Sequence, residues 1–366
     1  LGLGHGFGAS PNGETNIEVI KEAVIMKWKS KLLSSGFPLE YEVASIVRDI
    51  GFHVDGELPY TRYGLEQPTD CSIDVLCHAY LPLGEANDFK ARLIVPIECK
   101  YRVPAKEWLF MGDINEPDFS PSRPEGIRQF PCFTTYQYDA RPITAFCCEQ
   151  VPALKAVEIN MDKGDVTDTD IKHAINQLKY SLPQIVCREI INTGNCHPVD
   201  SCPVFVLPLL VTNAPIRITH ADMSISTVSN AESLNDVSEQ VDCVDLYSDH
   251  PDSFEEHCRR VFKMFLRSAS QGTGLRAFDA VRDVIGDSLP GFRSAANALQ
   301  SLALGYTIPL HPNMYKQFWV CNLNSLRPLL LNAVEAINLA VKDTKLLSEN
   351  LRDYKLNASR RQEKKT

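Results

Sequence analysis

Three polar residues lie where strand geometry would bring them together. In Pro96-Ile97-Glu98-Cys99-Lys100-Tyr101-Arg102, alternation along an extended chain points Glu98 and Lys100 one way, with Val95, Ile97, Cys99 and Tyr101 on the other face. In Ser72-Ile73-Asp74-Val75-Leu76-Cys77 the same rule sets Asp74 opposite an apolar face of Ile73, Val75 and Cys77. If the two strands pair, Asp74 meets Glu98 and Lys100. Two carboxylates at one point repel each other, and burying them uncompensated is costly; a hard divalent cation such as Mg²⁺, with Mn²⁺ able to substitute, relieves both penalties. Such an ion stabilises charge on a phosphate and activates a water, while a neighbouring lysine orients that water or neutralises the transition state. The chemistry expected is phosphodiester hydrolysis.

Several elements must position these residues. Thr15 and Glu18 form a capping-box signature, and Ile17, Ile20, Val24 and Trp28 recur at helical spacing until Gly36, predicting a first helix. Pro38 opens a second helix, with Leu39, Val43, Val47 and Ile50 on one side, Gly51 as terminator, and Glu42 bordering the buried face. Residues 52–54, 72–80 and 92–102 read as strands, the last two as an antiparallel pair. Residues 111–142, dense in Pro, Asp and Ser, read as a long excursion. Residues 168–185 then predict a helix with Ile171, Ile175, Leu178 and Leu182 inward, kinked or ended by Pro183. The apolar run 204–212 predicts a strand covered on both faces. Strands and helices mixed in this way favour an α/β layer fold.

Asp74, then Glu98-Cys99-Lys100 at the end of an apolar strand, preceded by an acid-bearing helix, resembles the PD-(D/E)xK nuclease superfamily of restriction and repair enzymes. The resemblance is best between about residues 39 and 102. It implies a restriction-endonuclease-like core, a central mixed sheet flanked by helices, acting on nucleic acid with DNA favoured. By that match Asp74 is the first metal-binding acid, Glu98 the second and Lys100 the catalytic lysine. The Cys99 carbonyl faces the metal, Glu42 is the helix acid and Gln177 an accessory residue. Ile73 stands where the motif's proline would be, and Gln177 to Tyr180 is one residue shorter than the glutamine-to-tyrosine spacing of the RecB-like branch. Two rivals accompany this reading: a catalytically silent nuclease fold that binds nucleic acid or protein, and a defence effector gated by a regulatory partner.

Net charge is −9, from 37 Lys+Arg against 46 Asp+Glu, so nucleic acid would have to be bound by a local patch. Lys90, Arg92, Lys100, Arg102 and Lys106 cluster around the proposed site, whereas no Lys or Arg lies between Arg217 and Arg259, a stretch carrying ten acids. The organisation expected is a flexible leader (1–14), the core (15–215), an acidic connection or insertion (216–257), a mainly helical C-terminal region (258–351) and a basic tail (352–366). Within the fourth part a short strand at 318–321 precedes a helix from about Ser325. In that helix Leu326, Leu330, Ala333, Ile337, Ala340, Thr344, Leu347 and Leu351 step by four and three; this pattern suits either a homodimer seam or packing on the chain's own core. The twelve cysteines sit mostly in apolar runs, as in a cytoplasmic protein with reduced thiols. Cys187, Cys196, His197 and Cys202 lack the knuckle spacing of a zinc site. His78 shares Asp74's face and is expected to be a hydrogen-bonded structural histidine. No apolar stretch approaches the ~20 residues of a membrane span.

Overall fold

The computed structural model describes residues 27–64, 67–84, 89–115, 127–129, 136–195, 202–270, 315–343 and 345–346. They form an α/β protein built on one thirteen-stranded mixed sheet with helices on both faces. β1 (His53–Arg62), β2 (Thr69–Leu81) and β3 (Ala91–Lys100) make an antiparallel meander. β3 runs parallel to β10 (Leu209–Thr212), and β10 parallel to β14 (Gln317–Asn322). β14 is antiparallel to β13 (Cys243–Tyr247), which is parallel to β7 (Val151–Asn160). β7 is antiparallel to β4 (Lys106–Gly112), β4 parallel to β11 (Ile216–Thr219), and β11 antiparallel to β12 (Ser238–Val241). The short β5 (Arg128–Gln129), β8 (Val166–Thr167) and β9 (Val204–Val206) attach to this path, and β6 (Tyr136–Gln137) pairs separately with β15 (Lys345–Leu346).

The sheet separates two cores. On one side α4 (Thr169–Asn195) and α6 (Asp252–Ser270) cover Ile73, Ile94, Leu210 and Val320. On the other, α2 (Phe37–Asp49), α3 (Arg141–Cys148) and α7 (Leu326–Val341) cover Val75, Cys77, Val95, Ile97 and Cys99. Helix α1 covers residues 27–34 of the described chain, and α5 (Ile225–Asn230) lies beyond β11 with no buried residue. β3 is therefore buried on both faces, so the separation into a polar and a core face expected for it does not occur. Glu98 is as buried as its apolar neighbours.

Two polar latches fasten α4. The Lys179 ammonium, wholly buried, donates to Ser248 O and Oγ at 3.0 Å and to Asp249 O at 2.6 Å, and burial lowers it to about 8. The buried His257 ring of α6 accepts from the Tyr63 N–H at Nδ1 (3.1 Å) and donates from Nε2 to Tyr180 O (2.9 Å). Both partners suit the neutral ring, and burial pushes it down to about 4.

Several expectations need correction. Pro183 does not end α4; the helix continues to Asn195 because Leu182, Ile185, Val186 and Cys187 are all buried, and tertiary burial outweighs the lost hydrogen bond. The strand expected at 204–212 is broken at Leu207-Pro208 into β9 and β10, both beside β3. The 216–257 segment, expected as an acidic connection or insertion, contributes strands to the sheet: β13 lies inside it, next to β14, the strand expected at 318–321. The 15–215 core is thus incomplete without later strands. In α7, Leu326, Leu330, Ala333, Ile337 and Ala340 are buried within the chain, so these five positions of the seam pack on the protein's own core. Residues 27–34 of the expected first helix are helical, with Trp28 52% exposed. The leader, the tail and the later seam positions Thr344, Leu347 and Leu351 lie outside the described residues, as does most of the 111–142 excursion. Among the described residues no helix is long and apolar enough to cross a membrane.

Candidate active site

Val75 faces Ile97 across β2 and β3, so the next pair sets Asp74 beside Glu98. On its other side β2 is irregular: Gly56 pairs with Leu76 but Leu58 with Ile73, leaving Asp74 and Val75 opposite Glu57 alone. This bulge reverses the side-chain alternation. Ile73 consequently enters the α4 core while Val75 and Cys77 enter the other, and not the single apolar face expected of them. Asp74 sits at the kink, its Oδ2 accepting the Cys99 N–H at 2.7 Å.

Glu98 is fully buried. Its Oε1 accepts from Lys100 Nζ at 2.5 Å, and its Oε2 has no hydrogen-bond partner. Burial outweighs the Lys100 ammonium and, with the Asp74 charge adding to it, lifts the Glu98 carboxyl to about 8. Asp74 is raised as well, chiefly by burial, against the opposing pull of the Cys99 N–H and Lys100. Lys100 reaches from the end of β3, where its carbonyl accepts from Thr212 Oγ1 at 2.8 Å. Gln177 braces it from α4, with Oε1 3.4 Å from Lys100 Nζ and Nε2 donating to Ser72 O at 3.3 Å.

Of the two acids on α2, Glu40 and not Glu42 is the one turned toward Asp74 and Lys100. Glu42 is exposed, whereas Glu40 is half-buried, and its carboxyl is raised first by burial and next by the Asp74 charge, with Lys100 opposing. Gly36, the N-cap of α2 at φ 83°, clears the way, since a Cβ there would meet Glu40 Oε1 at 3.0 Å. Taking 100° per residue from Leu39, the stripe of Leu39, Val43, Val47 and Ile50 centres near ~35°; Glu40 then lies about 65° from it and Glu42 about 95°. That arithmetic was available from the sequence. Glu57 and Tyr60 were not foreseen. Glu57 lies opposite the bulge and acts on Asp74 through its charge, and the buried Tyr60 phenol is raised by burial, the Cys71 thiol and the Glu98 charge.

The basic cluster is largely committed to structure. Arg92 pairs with Glu189 at 2.5 Å, and Arg102 and Lys106 both grip Glu158, which also accepts from the Trp108 indole at 3.0 Å. Burial would raise Glu158, yet Lys106, Trp108 and Arg102 together hold it below the usual carboxylate range. Lys90 donates to Lys342 O at 3.3 Å. His78 Nδ1 donates to Asp55 Oδ2 at 2.9 Å. Cys187 is buried in α4, Cys202 is half-buried, and Cys196 and His197 lie outside the described residues.

Among the described residues no group of three or more His, Cys, Asp or Glu side chains is arranged as a metal cage. The donor set suits Mg²⁺ or Mn²⁺: Mg²⁺ is commonly held by one or two carboxylates with waters completing its shell, and Glu98, whose buried Oε2 has no hydrogen-bond partner, stands beside Asp74. Two carboxylates, a lysine and a bracing glutamine thus meet at the C-terminal end of β3, where β10 and β14 also end in register at Thr212 and Asn322. Compared with family models, with curated proteins and with solved structures, the chain matches none.

Proposed function

We propose that this chain is a metal-dependent nuclease that hydrolyses phosphodiester bonds, DNA foremost, on a restriction-endonuclease-like core of the PD-(D/E)xK type. The observation that carries the reading is Glu98: a carboxylate buried in a sheet, paired to Lys100 through one oxygen and orphaned at the other, beside a second carboxylate. A buried ionisable group with an unsatisfied oxygen is costly to keep without a use or a partner.

Asp74, Glu98 and the Cys99 carbonyl would hold the ion, Mg²⁺ or Mn²⁺. When bound, it supplies positive charge to the scissile phosphate and acidifies water. Asp74 is held in place by the Cys99 N–H, so the bulge spends no side-chain freedom at the moment of binding. Lys100, one-fifth exposed, is the group able to reach substrate, donating to a phosphate oxygen or to the attacking water. Gln177 limits the wandering of that ammonium. Glu40 adds negative charge at the rim and is the acid best placed to take a proton from water.

One observation favours a gated effector as a second reading: Lys100 lies on Glu98, so the metal-free site is self-neutralised until a cation draws the carboxylate away. The test is cleavage of labelled single- and double-stranded oligonucleotides across a Mg²⁺ and Mn²⁺ titration, for the wild type, Asp74→Asn and Lys100→Ala. Asp74→Asn should lose cleavage and metal binding together; Lys100→Ala should lose cleavage and keep the metal. Cleavage at the wild-type rate by both variants would refute the assignment.

A further inference from the structure

We propose that the exposed face of residues 27–41 is a binding platform for single-stranded nucleic acid, which it leads to the Asp74, Glu98 and Lys100 site. The proposal rests on the nuclease reading for its destination, though not for the binding itself. Soluble proteins bury most of their large aromatic surface, yet Phe37 is 61% exposed and Tyr41 67%, one turn apart on α2, and Trp28 on the preceding helix is also half out of the protein. Leu32 and Leu33 are exposed between them.

The same stretch is positively charged. Lys27 and Lys31, one turn apart, share a side of α1 and Lys29 lies on the opposite side; all three lysines are exposed, and no Asp or Glu occurs from Lys27 to Leu39. On a chain of net charge −9 this is a local reversal of sign. It stands out further because Arg92, Arg102, Lys106 and Arg217 are used in ion pairs inside the fold. Cations that follow a phosphate backbone, interleaved with rings on which bases stack, are the two components of single-strand recognition. A duplex keeps its base faces stacked inward and cannot use the rings, so the platform selects unpaired strands. Its position links it to chemistry: Glu40, between Phe37 and Tyr41 in sequence, is the residue of α2 whose carboxyl feels Asp74 and Lys100. A strand stacked on Phe37 and Tyr41 therefore lies beside the acid that borders the site.

The test measures fluorescence anisotropy of the full chain in EDTA, with labelled oligothymidylate and with a duplex of the same length. The expected result is single-strand binding at least about tenfold tighter than duplex binding. Phe37→Ala and Tyr41→Ala should each weaken it about five- to a hundredfold, while Tyr41→Phe, which keeps the ring, should bind as wild type does. Joint replacement of Lys27, Lys29 and Lys31 by Ala should flatten the logarithmic salt dependence by about two. In a parallel assay with Mg²⁺ or Mn²⁺, single-strand binding by the wild type without any cleavage would support the platform while refuting the nuclease. Equal or tighter duplex binding, alanine variants indistinguishable from wild type, or an effect of these variants on self-association alone would each overturn the proposal, the last by assigning the face to protein contacts.

Discussion

Glu98→Gln should make the metal-free protein more stable at alkaline pH while removing its metal response. The folded-state carboxyl is lifted from its ordinary 4.5 to about 8. Between those values the folded protein keeps a proton that the unfolded chain has lost, so wild-type stability is greatest below 4.5, falls as pH rises through the window and levels off above about 8. At about 1.4 kcal/mol per unit, the penalty reaches at most about 5 kcal/mol. Glutamine fills the same space without charge and leaves Lys100, one-fifth exposed, with Gln177 and solvent. Loss of the ion pair offsets part of the gain, giving a net stabilisation of ~2–4 kcal/mol at about pH 8.5 and under ~1 kcal/mol at about pH 5. Urea denaturation in EDTA at both pH values reads this directly. Added Mg²⁺ or Mn²⁺ should then raise the midpoint of the wild type and leave the variant unmoved. A variant less stable than wild type at the higher pH, or a gap that does not widen with pH, would refute the reasoning that burial dominates at Glu98.

Glu40→Gln should lower cleavage at least about tenfold while Glu42→Gln leaves it unchanged, a contrast that initial rates on one oligonucleotide settle. His257, held near 4 when folded, contributes stability that is full above about pH 6.5 and is lost as pH falls toward 4, up to about 3 kcal/mol; nitrogen chemical shifts at about pH 5 should find the ring neutral, with the proton on Nε2. Leu330→Ala should cost about 2–5 kcal/mol in denaturant unfolding and should not change the sedimenting mass, because Leu330 is buried within the chain.

The local part of the site was legible in the sequence. Alternation put Glu98 and Lys100 on one side, an antiparallel partner supplied Asp74, and the pairing of Val75 with Ile97 delivers that meeting. What alternation could not show was the bulge, because an irregular pairing leaves β2's own residue pattern unchanged; it depends on β1, whose Gly56 and Leu58 fix the slip. The choice of Glu42 over Glu40 was a question of angle, and a count of residues from Leu39 was too coarse for it. In strand β7 Lys155 and Glu158 interrupt the apolar run, Glu158 being buried against the Trp108 indole, whereas the short apolar run Trp108-Leu109-Phe110-Met111 of β4 was overlooked. The order of the sheet was illegible for another reason: β13 and β14 take their places through pairings distant in sequence, and no local signal encodes those.

That long-range order bears on how the protein is made. β10, the neighbour of the site strand, presents a bare edge until β14 arrives, and the row Lys100, Thr212 and Asn322 is complete only then. Asn322 also ties that row by donating to Ala214 O at 2.9 Å. During synthesis, therefore, the carboxylates and lysine emerge long before the strand that finishes their sheet. A ribosome stalled midway would release a product with an open edge, prone to capture by chaperones or to aggregation, and with no finished site. Assembly from both ends of the described chain thus delays completion of the Lys100, Thr212 and Asn322 row until β14 has been translated.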